Sequence, residues 1–170
     1  MKPKYKERYP HIFEPFTVGE HSTKKLTFKN RFLSAPMAAV MQTDGEGLLL
    51  DKGAEYYGRF ARGGMASVCV PVEIPHDGGH ARSINIDDEE KVSFQDVHRL
   101  QRLVHAYDTR SFIEIYYAGC CMSPGGGREP LAPCDMMWNG HFVCGMNDKD
   151  MEEVLNMYVQ TAWYGKTCRL

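Results

Sequence analysis

The stretch Lys29-Asn30-Arg31-Phe32-Leu33-Ser34-Ala35-Pro36-Met37 runs from a basic, polar turn into a short apolar strand that stops at a proline. Pro36 fixes φ and has no backbone donor, so a strand ladder ends there. A strand ending in small and apolar residues suits a rim where main chain approaches a flat ligand. The plain alternative is a strand that simply ends. His76 and His80 share the loop Pro75-His76-Asp77-Gly78-Gly79-His80. A metal would need more ligands than this pair, and no partners are evident, so they read as solvated loop histidines. Gly125-Gly126-Gly127-Arg128 has the glycines of a phosphate cradle but lacks a following helix and the Lys-Ser/Thr of a P-loop. It reads as a flexible lid. The six cysteines (Cys69, Cys120, Cys121, Cys134, Cys144, Cys168) contain no C-x-x-C pair, which argues against a zinc ribbon or a thioredoxin-type motif. They read as reduced thiols, mostly small buried hydrophobes. The adjacency of Cys120 and Cys121 is the one hint of a metal or redox site.

These residues sit on elements that the pattern predicts. Residues 1–15 read as an irregular arm punctuated by Tyr9-Pro10 and Glu14-Pro15. Phe16-Thr17-Val18-Gly19 and Lys25-Leu26-Thr27-Phe28 read as a hairpin. A strand over roughly 31–35 follows, then a glycine-containing loop. Asp51 is placed to cap a helix running to about Arg62, with Ala54, Tyr57, Phe60 and Ala61 on one apolar side and Gly63-Gly64 as its stop. Met65 to Ile74 is apolar without clean alternation, as in a strand buried on both faces of a parallel sheet. A helix over about 91–106 follows the acids Asp87-Asp88-Glu89-Glu90. A third strand spans Ser111 to Tyr116, with Phe112, Ile113 and Ile115. From Tyr117 to Met146 no regular pattern is evident, and loops of that length tend to be functional. Asn147 or Asp148 caps a last helix, with Met151, Val154, Leu155, Tyr158 and Ala162 as its apolar face.

Composition narrows the class. The chain has 170 residues, 43% hydrophobic and 25% charged, which suits one soluble globular domain. A net charge of −2 gives no electrostatic case for nucleic acid or an anionic membrane. No apolar run approaches the roughly 20 residues of a membrane helix. The basic start lacks the apolar segment of a secretory signal, so a cytoplasmic location is the expectation.

A hairpin followed by three strand–helix units implies a parallel sheet. The missing glycine-rich turn after the first strand weakens a Rossmann reading. A (β/α)8 barrel needs roughly 250 residues. The expectation is therefore either a small α/β domain or the N-terminal part of a barrel.

At this level of detail the chain resembles the N-terminal portion of the old yellow enzyme family of FMN-dependent NAD(P)H:flavin oxidoreductases. The matching pieces are Phe13-Glu14-Pro15-Phe16 with Val18-Gly19, Leu26-Thr27-Phe28-Lys29-Asn30-Arg31 leading into Ala35-Pro36-Met37, and Glu55-Tyr56-Tyr57 with Ala61-Arg62-Gly63-Gly64. Val70-Pro71-Val72-Glu73, Phe112-Ile113-Glu114-Ile115 with Ala118-Gly119, and Ala132-Pro133 continue the series in the family's order. Residues 146–170 resemble the family's next helix. The style is closest to the longer anaerobic members, such as dienoyl-CoA and enoate reductases.

The resemblance implies an α/β fold: the N-terminal part of a (β/α)8 TIM barrel carrying an N-terminal β-hairpin, with residues 1–170 forming a partial barrel domain that stops before the fourth strand. It implies FMN at the C-terminal strand ends, with cofactor contacts at Ala35, Pro36, Met37 and Ala38, at Val72 through its backbone, and at Glu114. Many members carry Gln at the last position; a carboxylate there accepts from flavin N3–H but cannot donate unless protonated. NAD(P)H is the implied electron donor and an activated alkene the implied small-molecule substrate, with self-association left open.

The chain also departs from the family. His-Ala-Gly-Arg is replaced by Tyr117-Ala118-Gly119-Cys120, and Ala38 stands where some members have a redox-tuning Cys. The family's substrate-binding His pair, proton-donating Tyr and phosphate loops are expected past Leu170, so no catalytic residue is assigned. The alternative function is a truncated or degenerate non-catalytic chain acting as an interaction module through open sheet edges.

Overall fold

The computed structural model describes residues 3–19, 21, 23–37, 43, 49–74, 84–85, 92–121 and 130–167. The expected irregular arm is instead helical, with α1 over Pro3–Arg8 and α2 over Pro10–Phe13. Both open on proline, whose missing N–H costs nothing in a first helical turn. The hairpin forms as expected: β1 (Phe16–Val18) pairs antiparallel with β2 (Leu26–Phe28). Phe28 is buried, stacks on Phe16 at 4.8 Å and reaches Phe112 at 5.8 Å. The hairpin thereby plugs one end of the main sheet.

The predicted strand over 31–35 shrinks to one parallel bridge, Leu33 to Ser67. What precedes it is a clasp. Asn30 is buried; its Nδ2 donates to Gly64 O at 2.8 Å and its Oδ1 accepts from Phe32 N at 3.0 Å. Lys29 Nζ donates to Thr109 Oγ1 at 3.1 Å, and Thr109 passes the contact on to Met65 O at 2.8 Å. The polar start of the opening motif is thus spent on joining the hairpin to a helix end and a strand start.

Helix α3 spans Asp51–Arg62. Leu50, not Asp51, is the residue at its N-cap, with no side-chain cap. Asp51 lies inside the first turn and its Oδ1 accepts from Arg99 Nη1 at 2.6 Å. The glycine stop forms as expected: Gly64 has φ +93°, Gly64 N bonds Ala61 O at 3.0 Å and Met65 N bonds Phe60 O at 3.2 Å. That pair of bonds is a Schellman cap, which needs a residue at home in the left-handed region.

The main sheet holds β3 (Ser67–Glu73), β4 (Ile84–Asn85) and β5 (Arg110–Tyr116), all parallel, in the order β4-β3-β5. Helix α4 (Val92–His105) connects the last two. Val68, Val70 and Val72 point to the helix side, where they form the core with Ala54, Tyr57, Ala61, Val97, Leu100 and Val104. Each buried Val or Leu among them contributes about 1.5–3 kcal/mol. Both faces of β3 are covered, which accounts for its unbroken apolar run.

The stretch read as patternless is structured. A 3₁₀ turn (Gly119–Cys121) leads to β6 (Leu131–Ala132), β7 (Met136–Trp138) and β8 (His141–Gly145), a sheet ordered β6-β8-β7. Strands β7 and β8 form a two-residue hairpin in which Asn139 has φ +48° and Gly140 φ +82°. Asn-Gly is the strongest local signal for that type I′ turn.

Helix α5 (Asp148–Thr167) is capped as expected by Asn147, whose Oδ1 accepts from Lys149 N at 2.9 Å and Asp150 N at 3.1 Å. Its buried face differs from the expected one. Val154 and Tyr158 are half-buried beside buried Thr161, whereas Met151, Leu155 and Ala162 are exposed. The helix is apolar on two flanks, and the flank bearing Thr161 and Tyr164 lies against the sheet. Three strand–helix units are present, and no barrel closes among the described residues.

Candidate functional site

Strand direction defines which end of the sheet could hold a ligand. In parallel α/β folds ligands lie at the C-terminal strand ends. A 260 Å³ cavity lined by Phe28, Lys29, Ala66 and Arg110 lies at the opposite end, under the hairpin, and is a packing space. The opening segment runs parallel to β3 from Leu33, toward the end where β3 and β5 finish side by side.

The segment leaves β3 within a few residues. Ala66 N donates to Phe32 O at 2.8 Å and Ser34 N to Ser67 O at 3.1 Å. Beyond this the main-chain ladder stops. Cys69 N donates at 2.9 Å to the side chain of Ser34. Tyr57, 1% exposed in the core, donates its hydroxyl to Met37 O at 3.3 Å. Ala35 is exposed, Pro36 half-buried, and the Met37 side chain 55% exposed. Ala38 lies outside the described residues, as do His76, His80 and the Gly125–Arg128 segment.

Glu114 stands level with Pro71 on β3, is exposed, and shares the helix-free face with Phe112 and Tyr116. One step nearer the rim, Tyr116 Oη donates to Glu73 Oε2 at 3.1 Å. Val72 is not on this face: its side chain is fully buried on the helix side, and it stands level with Ile115 on one flank and Ile84 on the other. The structure therefore places Glu114 level with Pro71 on the helix-free face, sets Ala35–Met37 directly after the Ser34 contacts to β3, and leaves Val72 in reach only through main chain.

The sequence profile of the NADH:flavin oxidoreductase / NADH oxidase family matches residues 11–169. The chain belongs to this family. Among curated relatives, an NADH oxidase of Thermoanaerobacter brockii is 26% identical over 163 residues, covering 91% of this chain and 24% of that protein. Among solved structures, a 2-naphthoyl-CoA reductase in complex with 2-naphthoyl-CoA superposes with a TM-score of 0.79 at 19% identity, covering 94% of this chain and 26% of that one. An old yellow enzyme homologue from Zymomonas mobilis gives 0.76 at 18% identity, over 94% of this chain and 46% of that one. Morphinone reductase in complex with tetrahydroNAD gives 0.74 at 18%, over 94% and 47%. The chain thus carries the fold of the N-terminal part of an old yellow enzyme TIM barrel and spans about a quarter to a half of these relatives.

Within this flavin oxidoreductase frame the cysteines need correction. Cys121, Cys134 and Cys144 are exposed and Cys120 half-buried, because they lie on the 3₁₀ turn and the rim sheet outside the core. Among the described residues no group of three or more His, Cys, Asp or Glu is placed to hold a metal ion. Cys69 is the thiol at the site. Burial, then the nearby Glu114 carboxylate, pushes its pKa above the usual thiol range. The thiolate is the nucleophile, so raising the pKa lowers reactivity at neutral pH. Timed alkylation with iodoacetamide, read by peptide mass spectrometry, is expected to modify Cys69 last, well behind Cys121, Cys134 and Cys144. Equal rates would contradict the placement of Cys69 beside Glu114.

Sequence reasoning missed Ser34 and the hydroxyl of Tyr57. Tyr57 was legible only as a core residue. Pro71, a proline inside a buried strand, was the available signal that one edge of β3 lacks a ladder bond at that level among the described residues.

Proposed function

We propose that this chain supplies one wall of the FMN site of an NAD(P)H-dependent oxidoreductase acting on an activated alkene. The observation that carries the reading is the end of the β3 ladder at Ser34, after which Ala35–Met37 make no bridge to it among the described residues. No hydrogen bond is made by Ala35 N–H or C=O among the described residues. A flat heteroaromatic edge with alternating donors and acceptors fits such a turn, and Glu114 offers a carboxylate acceptor across Pro71. FMN, when bound, supplies the hydride relay between NAD(P)H and the β-carbon of the alkene. This chain's residues bind and orient: Ala35 through its peptide groups, Met37 and Pro36 through apolar contact, Val72 through main chain. The family's substrate-binding pair and phosphate loops have no counterpart assigned in residues 1–170, so the chain by itself is expected to hold FMN weakly. No helix among the described residues is long and apolar enough to cross a membrane.

Illumination provides a local test. Met37, Met137 and Met151 are 55%, 64% and 49% exposed, so free FMN under blue light should oxidise them at comparable rates. Docking at the proposed turn is expected to make Met37 the fastest. Uniform oxidation would overturn the site. Stoichiometric FMN retained through gel filtration would show instead that the phosphate is held within this chain.

A specific observation favours a second reading, an interaction module. Strand β5 pairs only with β3 among the described residues, and Met151, Leu155, Val159 and Trp163 form an exposed apolar stripe along α5. An open parallel edge beside an uncovered helix flank fits a further strand–helix unit of the same architecture. Uniform Met oxidation, together with concentration-dependent sedimentation, would favour this reading over the first.

A further inference from the structure

We propose that Ser34 and Tyr57 are the positioning residues of the Ala35–Met37 turn, fixing its main chain at both ends so that its peptide groups serve a ligand. The proposal rests on the flavin-wall reading for the identity of that ligand, but its geometry stands apart from it.

Consider what β3 requires of its neighbour. In a parallel ladder alternate residues of a strand point their peptide groups to the same side. Ser67 O accepts from Ser34 N, so Ser67, Cys69 and Pro71 face the opening segment. A regular strand would continue through Ala35 and Met37, which would then stand level with Cys69 and Pro71, and its carbonyls would accept from β3. Neither demand arises here. The Cys69 amide is satisfied by Ser34 Oγ at 2.9 Å, a side chain standing in for a main-chain carbonyl. Pro71, buried in β3, has no N–H to satisfy. The next residue toward the rim, Glu73, is level with Asn85 of β4. The donors on this edge of β3 are therefore accounted for without residues 35–37, so none is left orphaned, a defect that would be costly.

Without further ladder bonds the turn has no fixed course from β3 alone. Tyr57 supplies the second anchor. Its ring is locked in the core between α3 and β3, and its hydroxyl donates to Met37 O at 3.3 Å. The turn is thus suspended between Ser34 at one end and Met37 at the other. Between them Pro36 stiffens φ, and Ala35 keeps both peptide groups unpaired among the described residues. Pre-organised peptide groups of this kind lower the ordering cost of binding.

The test uses the whole chain with Ser34→Ala, Ser34→Thr and Tyr57→Phe. Ser34→Ala is expected to speed exchange of the Cys69 amide roughly tenfold, the effect of losing one hydrogen bond to a partly buried donor. Ser34→Thr, which keeps the hydroxyl, should restore wild-type protection. Tyr57→Phe should move the Met37 carbonyl ¹³C resonance upfield without changing Cys69 exchange. Unchanged Cys69 protection in Ser34→Ala, or an unmoved Met37 carbonyl in Tyr57→Phe, overturns the corresponding assignment whether or not FMN binds. Titration with FMN, followed by flavin fluorescence, then separates the two claims. A severalfold weaker affinity in Ser34→Ala and Tyr57→Phe, with wild-type affinity in Ser34→Thr and every variant fully folded at the titration temperature, supports positioning for the flavin. Exchange and carbonyl changes as expected, with no FMN binding by the wild type, leave the anchors standing and remove the flavin reading. Wild-type FMN affinity in both disrupted variants overturns the role of the anchors in binding.

Discussion

Tyr57→Ala is expected to cost about 3–5 kcal/mol, the range for emptying a large aromatic site in a packed core. Tyr57 is among the largest fully buried side chains, and it meets the strand valines and the α4 face in one cluster. Tyr56 packs edge-on against it at 5.3 Å and against Phe60 at 5.0 Å, so removing the ring also loosens its aromatic neighbours. Domains have only about 5–15 kcal/mol in total. Here Leu33, Phe112 and the α5 stripe remain exposed, so apolar area that a closed fold would bury contributes nothing. The alanine variant should therefore be largely unfolded in buffer, whereas Tyr57→Phe should lose about 0.5–1.5 kcal/mol, the worth of one hydrogen bond. Urea titration followed by far-UV circular dichroism measures both. An alanine variant within about 1 kcal/mol of wild type would contradict the core position of Tyr57.

The contrast between these two substitutions separates what is legible in sequence from what is not. Burial of Tyr57 follows from its place with Ala54 and Ala61 at helical spacing, and the Gly63-Gly64 stop follows from local chemistry. The contact of its hydroxyl with Met37 joins residues 20 apart in sequence and has no local signature. The same holds for Ser34, which is only a polar residue in a strand until its side chain is found on the Cys69 amide. For α5 the period was legible but the phase was not. Apolar residues line two flanks, and the sheet contact made through Thr161 and Tyr164 decides which is covered. The opening strand fails for a different reason. Its apolar residues fit a strand, but Pro36, Pro71 and the Ser34 side chain together end the ladder after one bridge. The rim sheet was legible in principle, since Asn139-Gly140 between Met136–Trp138 and His141–Gly145 is a hairpin sequence.

That rim sheet depends on Gly145, and Gly145→Val is expected to melt it while the core persists. A Cβ at Gly145 would stand 2.9 Å from Asp135 N and 3.0 Å from Cys134 Cα and C. These are main-chain atoms, so no rotamer change relieves the overlap. The same residue is fixed from two sides: its N–H donates to Asp135 Oδ1 at 2.7 Å, and it pairs in register with Ala132 of β6. Moving the strand to admit a side chain breaks both, as well as the adjacent Met146 N to Ala132 O bond of 2.8 Å. Overpacking costs about 1–3 kcal/mol. A small sheet with exposed Met137, Trp138 and Phe142 buries little surface to offset it. Hydrogen exchange should accelerate roughly ten- to a hundredfold across β6, β7 and β8, the range that this cost implies. The amides of β3 and β5 should keep wild-type protection, because their core is built with α3 and α4 and contains no residue of β6, β7 or β8. Uniform acceleration through β3 and β5 would show instead that the rim sheet and the barrel strands unfold as one unit. Unchanged exchange at Cys144 and Met146 would mean that β8 does not approach Asp135 as closely as the fold requires.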